Sequence, residues 1–207
     1  MFVKRVMIPS FGTNCYIVGC EETKQALVID PGGQAESVLQ EAEKAGYTIT
    51  QIVLTHGHAD HMMEADKLKM LTGGAPIAIS EEDAFMLENP MMSGAMMFGM
   101  RAMPYSPDSC LKDGDRIEVG NLTLDVLYTP GHTPGGICLY TPGYLFSGDT
   151  LFERSVGRAD LPGGSMDALQ NSIKTKLFVL PDETVVYPGH GMKTTIGEEK
   201  AHNPFVR

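Results

Sequence analysis

The sequence has no tryptophan, and its 16 Lys and Arg residues are outnumbered by 26 Asp and Glu residues, which gives a formal net charge of −10. An acidic chain of this kind is a poor match for nucleic acid or for an anionic lipid surface. The sequence also lacks an apolar run near the roughly 18 residues that a membrane-spanning helix needs, and no apolar stretch of secretory length follows Lys4 and Arg5. We therefore expect a cytoplasmic protein that binds neither nucleic acid nor membrane.

Several motifs that would define a reaction are also missing. The cysteines lie at positions 15, 20, 110 and 138 with no C-x-x-C pair, so we expect reduced, buried thiols rather than a thiolate zinc site. There is no G-x-S-x-G nucleophile elbow and no phosphate-binding P-loop. The length suits a single domain that spans residues 1–207.

Short runs rich in β-branched and aromatic residues recur between Gly, Pro and Asn, and they predict strands. The predicted strands are Cys15–Val18, Ala26–Ile29, Ile49–Leu54, Ile77–Ile79, Arg116–Val119, Leu122–Leu127, Ile137–Tyr140, Tyr144–Phe146 and Val185–Tyr187. Helices are predicted at Ala35–Ala45, Met62–Leu71 and Ser165–Leu180, with a shorter one at Glu81–Glu88. Strands outnumber helices, which favours sheets flanked by helices over a repeating strand–helix–strand ladder.

Methionine is concentrated in one segment. Residues 86–103 hold seven of the 14 methionines, together with Gly94 and Gly99. Methionine fills irregular gaps and adapts to different contacts. We interpret the segment as an insertion that covers the core, with a substrate-facing lid and a homodimer contact as the alternatives.

Histidine is the residue whose placement is most informative. Five of the six histidines fall in three short segments, T-H-G-H-A-D-H at 55–61, T-P-G-H-T-P-G at 129–135 and Y-P-G-H-G at 187–191. The segment F-S-G-D-T at 146–150 places a carboxylate in the same setting. Each polar side chain follows an apolar run, so we expect it in a loop past the end of a strand, where rigid sheets hold functional groups. Only His202 stands apart, and we expect it at the surface.

The first segment has the spacing of a metal site. In an extended chain the i, i+2 spacing of His56 and His58 points both rings to one side, and Gly57 lets the backbone bend between them. Imidazole and carboxylate form a ligand set suited to zinc, iron, manganese or cobalt. Across the chain, the candidate ligands are His56, His58, Asp60, His61, His132, Asp149 and His190.

Seven candidate ligands are too many for one tetrahedral ion. They suit two divalent ions that share a carboxylate and a bridging water, with zinc as the expected metal and iron or manganese as alternatives. Such a pair activates water and clamps the oxygen atoms of a reacting ester or phosphate, so no protein nucleophile is needed. The sequence therefore predicts a metal-dependent hydrolase that acts on a small molecule.

The four segments, in this order, resemble the motifs of the metallo-β-lactamase superfamily. Val28–Gly33 and Thr13–Val18 resemble its first motif and its opening hairpin. The resemblance implies an α+β fold, a four-layer αββα sandwich with the metal site at one edge of the two sheets. Within the superfamily, these segments and Asn203–Phe205 are most similar to glyoxalase II enzymes of the short bacterial type.

The glyoxalase II resemblance implies a role for each candidate ligand. One ion would be held by His56, His58 and His132, the other by Asp60, His61 and His190, with Asp149 bridging the two. The resemblance also implies cleavage of a thioester such as S-lactoylglutathione, through attack of a metal-bridging hydroxide on the carbonyl carbon. Asp60 and Asp149 are then the catalytic carboxylates, and Asp60 orients the hydroxide or carries its proton.

Two further residues are expected next to the metal site. Arg158 matches a substrate-binding lysine of the long glyoxalase II enzymes, and we expect it to bind an anionic part of the substrate. We expect Asp30 to support the metal loop through hydrogen bonds rather than to bind metal. Met192 departs from the family pattern, which has an aromatic residue at this position.

Three alternative functions stay open at this point. Gly157–Gly164 resembles the same region of persulfide dioxygenases, which hold a single iron with residues matching His56, His132 and Asp149. A lactonase or another ester hydrolase would keep the two-ion site and differ in its pocket. A non-enzymatic metal-binding or partner-binding protein is the third alternative, although a structural metal site is usually closed and four-coordinate.

Overall fold

Two six-stranded sheets dominate the computed structural model, which describes residues 1–96, 99 and 104–206. The strands are β1 Phe2–Ile8, β2 Thr13–Gly19, β3 Gln25–Ile29, β4 Thr48–Val53, β5 Ile77–Ser80, β6 Ser109–Leu111, β7 Arg116–Val119, β8 Leu122–Tyr128, β9 Ile137–Thr141, β10 Tyr144–Gly148, β11 Leu151–Phe152, β12 Ser155–Val156, β13 Val185–Pro188 and β14 Thr194–Thr195. The α-helices are α1 Ala35–Lys44, α2 Ala59–Met62, α3 Ala65–Leu71, α4 Met166–Ser172 and α5 Ile196–His202. A 3₁₀ turn spans Ala84–Glu88, and a π-helical stretch at Ile173–Leu177 continues α4.

The two sheets differ in how their strands pair. The first has the order β1–β2–β3–β4–β5–β6, with antiparallel pairing from β1 to β3 and parallel pairing from β3 to β6. The second has the order β14–β13–β10–β9–β8–β7 and is antiparallel except where β13 runs parallel to β10. It follows that β8, β10 and β13 all point in the same direction. Their loops therefore emerge at one edge of the sheet.

Three apolar clusters separate four layers. The cluster between the two sheets includes Val18, Leu27, Val126, Leu139 and Phe146. The outer face of the first sheet is covered by α1 and α3, through residues such as Val38, Ala42 and Leu68. The outer face of the second is covered by α4, the π-helical stretch and α5, through Leu169, Ile173 and Ile196. Each large apolar side chain buried in this way contributes roughly 1.5–3 kcal/mol to folding. The αββα sandwich is confirmed.

The predicted extent of the helix after β4 is wrong. Met62–Leu71 was expected as a single helix, but the structure has α2 and α3 with a break between them at Met63 and Glu64. The main-chain N–H of Glu64 donates to the carbonyl oxygen of Pro31 at 3.1 Å, and its side chain accepts from the N–H of Ala35 at 2.6 Å. Glu64 thus connects the helices to the loop before α1, which interrupts the helical hydrogen bonds.

Other predictions need smaller corrections. Ser165–Leu180 is helical, but its second half is the π-helical stretch, and the segment Glu81–Glu88 is a 3₁₀ turn only over Ala84–Glu88. The prediction of buried thiols is wrong for Cys110, which is exposed on β6. β1 and α5 had no predicted counterpart, because charged residues interrupt the alternation of β1 and α5 is only seven residues long.

Among the described residues, no helix combines the length and apolar character needed to cross a membrane.

Candidate metal centre

Loops from both sheets meet at one edge of the sandwich. In the first sheet, β4 leads through a short loop into α2. This loop and the start of α2 carry four of the candidate ligands. In the second sheet, the loops after β8, β10 and β13 carry one candidate each. The structure brings together all seven of them: His56, His58, Asp60, His61, His132, Asp149 and His190.

One group, which we call the histidine triad, consists of His56, His58 and His132. One ring nitrogen of each lies within 4.8 Å of the other two, and all three side chains are buried. His58 Nδ1 lies 2.9 Å from His132 Nε2. His56 Nε2 is buried and has no hydrogen-bond partner in the described part of the chain. The triad therefore presents nitrogen atoms to a shared point.

Hydrogen bonds on the outer side of the triad determine which ring nitrogens carry protons. His132 Nδ1 donates to the carbonyl oxygen of Arg158 at 2.7 Å, because a carbonyl only accepts. The Thr55 hydroxyl gives its one proton to Asp30 at 2.7 Å, so it accepts from His56 Nδ1, 3.1 Å away. In both rings Nε2 is then the unprotonated atom that faces the triad, as a metal ligand requires.

A second group, which we call the mixed triad, consists of Asp60, His61 and His190, whose ligand atoms also lie within 4.8 Å of one another. His190 Nε2 is 3.2 Å from Asp60 Oδ2 and 3.3 Å from His61 Nε2. His61 Nδ1 donates to Asp30 Oδ2 at 2.9 Å, so Nε2 is the atom that faces the triad. The Thr13 hydroxyl donates to Asp60 Oδ2 at 3.0 Å.

Asp149 lies between the two triads. Its Oδ2 is 3.5 Å from His132 Nε2 and 3.6 Å from His190 Nε2, and its Oδ1 is 3.4 Å from His61 Nε2. These distances are longer than good hydrogen bonds. Oδ1 is buried, and no residue in the described ranges satisfies it. Because Oδ2 lies near a nitrogen of each triad, a carboxylate in this position can serve as a ligand that two ions share.

The residues present fit a pair of metal ions. A buried polar atom without a partner costs roughly 1–3 kcal/mol, so it needs an explanation such as an ion. His56 Nε2 and Asp149 Oδ1 are two such atoms, and both belong to the cluster. Each triad offers three donors and Asp149 adds one to each, which makes the four that zinc prefers.

Two rings of the histidine triad, those of His56 and His58, have lowered pKa values. Burial, reinforced by the neighbouring imidazoles, lowers the pKa of His58 to about 3. The same causes hold the pKa of His56 well below its usual value. Both rings are therefore uncharged at neutral pH, and a metal ion would not have to displace protons from them.

The mixed triad is a set of ion pairs. Burial alone would lower the pKa of His61, but the carboxylates of Asp60, Asp149 and Asp30 outweigh it and raise the pKa to about 10. For His190, burial is again the largest effect, but the hydrogen bond to Asp60 and the charges of Asp149 and Asp60 together outweigh it and raise the pKa. In return, His61 and His190 overcome the effect of burial on Asp60 and hold the pKa of its carboxyl well below the usual range.

The two residues predicted to lie next to the ligands, Arg158 and Asp30, occupy different surroundings, and His202 lies apart from them. The exposed guanidinium of Arg158 pairs with Asp160 through two hydrogen bonds of 2.8 and 3.0 Å. Asp30 accepts from the N–H of Thr55 at 2.7 Å, in addition to its bonds with the Thr55 hydroxyl and His61, which agrees with a supporting role. His202 is exposed, as expected, and pairs with Glu198 at 3.1 Å.

The methionine-rich segment packs against the histidine loop in its described part. Met86 is buried, and a Cβ atom on Gly57 would lie only 2.5 Å from Met86 Cβ. The carbonyl oxygen of Ser93 accepts from the N–H of Ala59 at 2.9 Å. These contacts place the described part of the segment against the histidine loop. Residues 97, 98 and 100–103 lie outside the described residues, and the core-covering, lid and homodimer interpretations all stay predictions.

Sequence reasoning missed two polar residues of the site. Thr13 reaches Asp60, although the sequence marks it only as part of the opening hairpin. Asp83 is fully buried and accepts hydrogen bonds from the main-chain N–H groups of Gly57 and Gly135. Neither residue has a motif or a spacing that would have indicated its role.

The sequence profile of the metallo-beta-lactamase superfamily matches residues 8–190, a range that contains every candidate ligand. The chain belongs to the metallo-beta-lactamase superfamily. Its fold is the metallo-beta-lactamase fold, and the cluster of His and Asp residues is its candidate metal centre.

Proteins that resemble this chain include a hydroxyacylglutathione hydrolase, a metallo-beta-lactamase and ETHE1. Hydroxyacylglutathione hydrolase GloC of Haemophilus influenzae is 36% identical over 210 residues, which cover 100% of this chain and 98% of that protein. The crystal structure of the BLEG-1 B3 metallo-beta-lactamase superposes with a TM-score of 0.93, at 35% identity and 99% coverage of both chains. ETHE1 from Myxococcus xanthus superposes with a TM-score of 0.84, at 33% identity, covering 99% of this chain and 84% of that one.

A further superfamily structure bears on the metal. TTHA1623, crystallised in a di-iron-bound form, superposes with a TM-score of 0.88 at 37% identity, covering 99% of this chain and 100% of that one. Two irons are thus bound by a protein with this fold. The His and Asp donors of the present chain are compatible with several divalent metals.

Proposed function

We propose that this superfamily protein is a dinuclear-metal hydrolase that cleaves a small thioester of the hydroxyacylglutathione type. The observation that carries the proposal is the pair of triads joined by Asp149, because it offers four donors to each of two ions. The thioester specificity is supported by GloC, a hydroxyacylglutathione hydrolase that aligns with the whole chain.

The histidine triad would hold one ion and the mixed triad the other, and Asp149 would be a ligand of both. When bound, such a pair lowers the pKa of a water molecule and polarises the substrate carbonyl. We expect zinc, with iron or manganese as alternatives, and the di-iron neighbour supports iron.

Asp60 is the residue that we expect to orient the attacking water and to carry its proton. In the described residues, the polar contacts of its carboxylate fall on Oδ2, from Thr13, His61 and His190. Oδ1 therefore stays available for a water proton. The side chain is 22% exposed, so water can reach it from the open side of the site.

The charge of the loaded site favours an anionic substrate. Two divalent ions contribute +4 and the carboxylates of Asp60 and Asp149 contribute −2, which leaves +2 in a protein of net charge −10. The carbonyl oxygen of Arg158 accepts from His132, so this residue lies beside the cluster. We expect its guanidinium to exchange Asp160 for an anionic group of the substrate.

Persulfide dioxygenase activity is the second candidate function. The structural neighbour ETHE1 supports it as strongly as GloC supports the first, and Gly157–Gly164 carries the sequence resemblance. In this case His56, His132 and Asp149 would hold a single iron, and the reaction would consume oxygen.

Metal content measured by mass spectrometry, paired with two activity assays, separates the candidates. Two ions per chain together with hydrolysis of S-lactoylglutathione are the expected result. One iron per chain, with oxygen consumption and sulfite formation from glutathione persulfide, would overturn the thioesterase in favour of the dioxygenase. Two bound ions with activity on neither substrate would contradict the thioester specificity.

A further inference from the structure

Asp83 is a buried carboxylate that lies outside the cluster of candidate ligands. It follows β5 and precedes the 3₁₀ turn, and its side chain is fully buried. Its Oδ2 accepts a hydrogen bond from the N–H of Gly57 at 3.0 Å, and its Oδ1 accepts one from the N–H of Gly135 at 2.6 Å. A single carboxylate thus connects a loop of the first sheet to a loop of the second.

These two loops carry the whole histidine triad. Gly57 stands between His56 and His58, and Gly135 follows His132 by three residues. His58 and His132 come from different sheets, and their facing nitrogens are 2.9 Å apart. The separation of the loops therefore sets the geometry of the triad. The hydrogen bonds of Asp83 reach main-chain groups rather than the rings, so its influence acts through the loops.

Both loops approach this segment so closely that only glycine fits at the contact points. A Cβ atom on Gly135 would lie 2.3 Å from Ser80 Oγ and 2.7 Å from Asp83 Oδ1. A Cβ atom on Gly57 would lie 2.5 Å from Met86 Cβ. The Ser80 hydroxyl also donates to the carbonyl oxygen of Gly135. The segment from Ser80 to Met86 is thus packed directly under both ligand loops.

A fully buried carboxylate is costly to keep where no cation compensates it. Within residues 1–96, 99 and 104–206, Asp83 has no Lys or Arg partner, and the two main-chain N–H groups offset only part of the burial, which raises the pKa of its carboxyl. Asp30 shows the contrasting arrangement, because it accepts directly from the ring of His61. The cost of burying Asp83 is understandable if holding two loops at a fixed separation is its role.

We infer that Asp83 is a positioning residue, whose two oxygens fix the separation of the His56–His58 loop and the His132 loop and thereby the geometry of the histidine triad. The inference rests on the proposed function, since it takes this triad to be one of two metal sites. Removing an outer partner that holds metal ligands in place typically weakens metal binding by about 10- to 100-fold.

The test compares Asp83→Asn with the wild-type protein. An amide nitrogen in place of one oxygen would face a main-chain N–H, so the variant can hold only one of the two loops. Asp108→Asn is the matched control. Asp108 also accepts a main-chain hydrogen bond at β5, from Ile77 at 2.8 Å, but at the opposite end of that strand from Asp83.

Each protein is loaded with Co²⁺, and both equivalents are followed by chelator competition and by the visible absorption of cobalt. His58→Ala and His190→Ala identify the absorption bands that belong to each triad. We expect Asp83→Asn to bind one equivalent about 10- to 100-fold more weakly and to alter the bands that His58→Ala removes. The other equivalent, and both equivalents in Asp108→Asn, should keep their wild-type affinities.

The results that would overturn parts of this account are distinguishable. Wild-type affinity for both equivalents in a folded Asp83→Asn, or equal weakening of both, overturns the positioning role alone. Fewer than two equivalents in the wild-type protein overturns the proposed function and the inference together. If Asp83→Asn does not fold, Asp83→Glu decides, because it keeps the charge and both acceptor oxygens but moves them by one methylene group. It should weaken the same equivalent and spare the other, and wild-type affinity for both equivalents overturns the inference.

Discussion

The histidine triad is buried and two of its rings are held uncharged, whereas the mixed triad is partly open and already held together by ion pairs. In the first, low pKa values keep His56 and His58 uncharged at neutral pH. In the second, His61 has a pKa of about 10 and is protonated beside its carboxylates, and His190 is 30% exposed. A metal ion entering the histidine triad would meet free nitrogen lone pairs, whereas one entering the mixed triad must displace protons.

The residues that support the triads differ in the same way. Asp30 holds the mixed triad by accepting a hydrogen bond from the ring of His61. Asp83 holds the loops of the histidine triad through the main-chain N–H groups of Gly57 and Gly135. At one edge of the sandwich, charge thus preorganises the mixed triad, whereas the separation of two loops preorganises the histidine triad.

Removing Asp149 should have the largest effect, because it is the side chain that the two triads share. We expect Asp149→Ala to lower kcat by on the order of 1,000-fold and to reduce the metal content of the protein. The measurement is turnover of S-lactoylglutathione alongside metal analysis. Asp182→Ala is the control, since the exposed carboxylate of Asp182 pairs with Lys200, and it should leave both quantities unchanged. Persistent turnover in Asp149→Ala would remove the basis for a metal mechanism.

Proton release on metal binding should separate the two triads directly. Because His61 and His190 have raised pKa values, the affinity of the mixed triad should increase about tenfold or more per pH unit between pH 6 and 8. The affinity of the histidine triad should change much less over this range. Isothermal titration with Zn²⁺ in buffers of different ionisation enthalpy counts the protons. Equal release for both equivalents would contradict the comparison.

The metal-free protein should lose stability on both sides of neutrality. The folded pKa of His61, about 10, lies above an unfolded value of about 6.5, so its contribution is complete below pH 6.5 and is lost as the pH rises towards 10. The folded pKa of His58, about 3, lies below the unfolded value, so stability is lost as the pH falls from about 6.5 towards 3.

Thermal unfolding in the presence of a chelator tests this expectation. Between pH 7 and pH 9.5 we expect Tm of the wild-type protein to fall by several degrees more than Tm of His61→Asn, at about 2–4 °C per kcal/mol. If Tm falls by the same amount in both proteins, the mixed triad does not hold His61 as a cation.

Arg158 should give the smallest effect, because its guanidinium is exposed and already paired with Asp160. For an anionic thioester we expect Arg158→Ala to raise KM about tenfold or less and to leave kcat unchanged, since the residue contributes binding rather than chemistry. Arg116→Ala serves as the control, because Arg116 is an exposed arginine on β7 that pairs with Asp125. A lower kcat at unchanged KM would instead indicate that Arg158 takes part in the chemical step.

The seven candidate ligands could be found from the sequence because each motif follows an apolar run, and strand ends at one edge of a sheet are where such side chains meet. Asp83 could not be found, because its partners Gly57 and Gly135 are 26 and 52 residues away and are main-chain groups without a sequence signal. The break between α2 and α3 was hidden for the same reason, since it depends on the carbonyl oxygen of Pro31. Local patterns indicate elements and motifs, whereas contacts between distant loops require the fold.

The most direct test of the central claim is a crystal structure of the Zn²⁺-loaded protein, with anomalous scattering measured on both sides of the zinc absorption edge. The account predicts two anomalous peaks per chain. One should lie at bonding distance from His56, His58 and His132 and the other from Asp60, His61 and His190, with Asp149 touching both. A single peak, or a peak coordinated by residues of both triads at once, would contradict it.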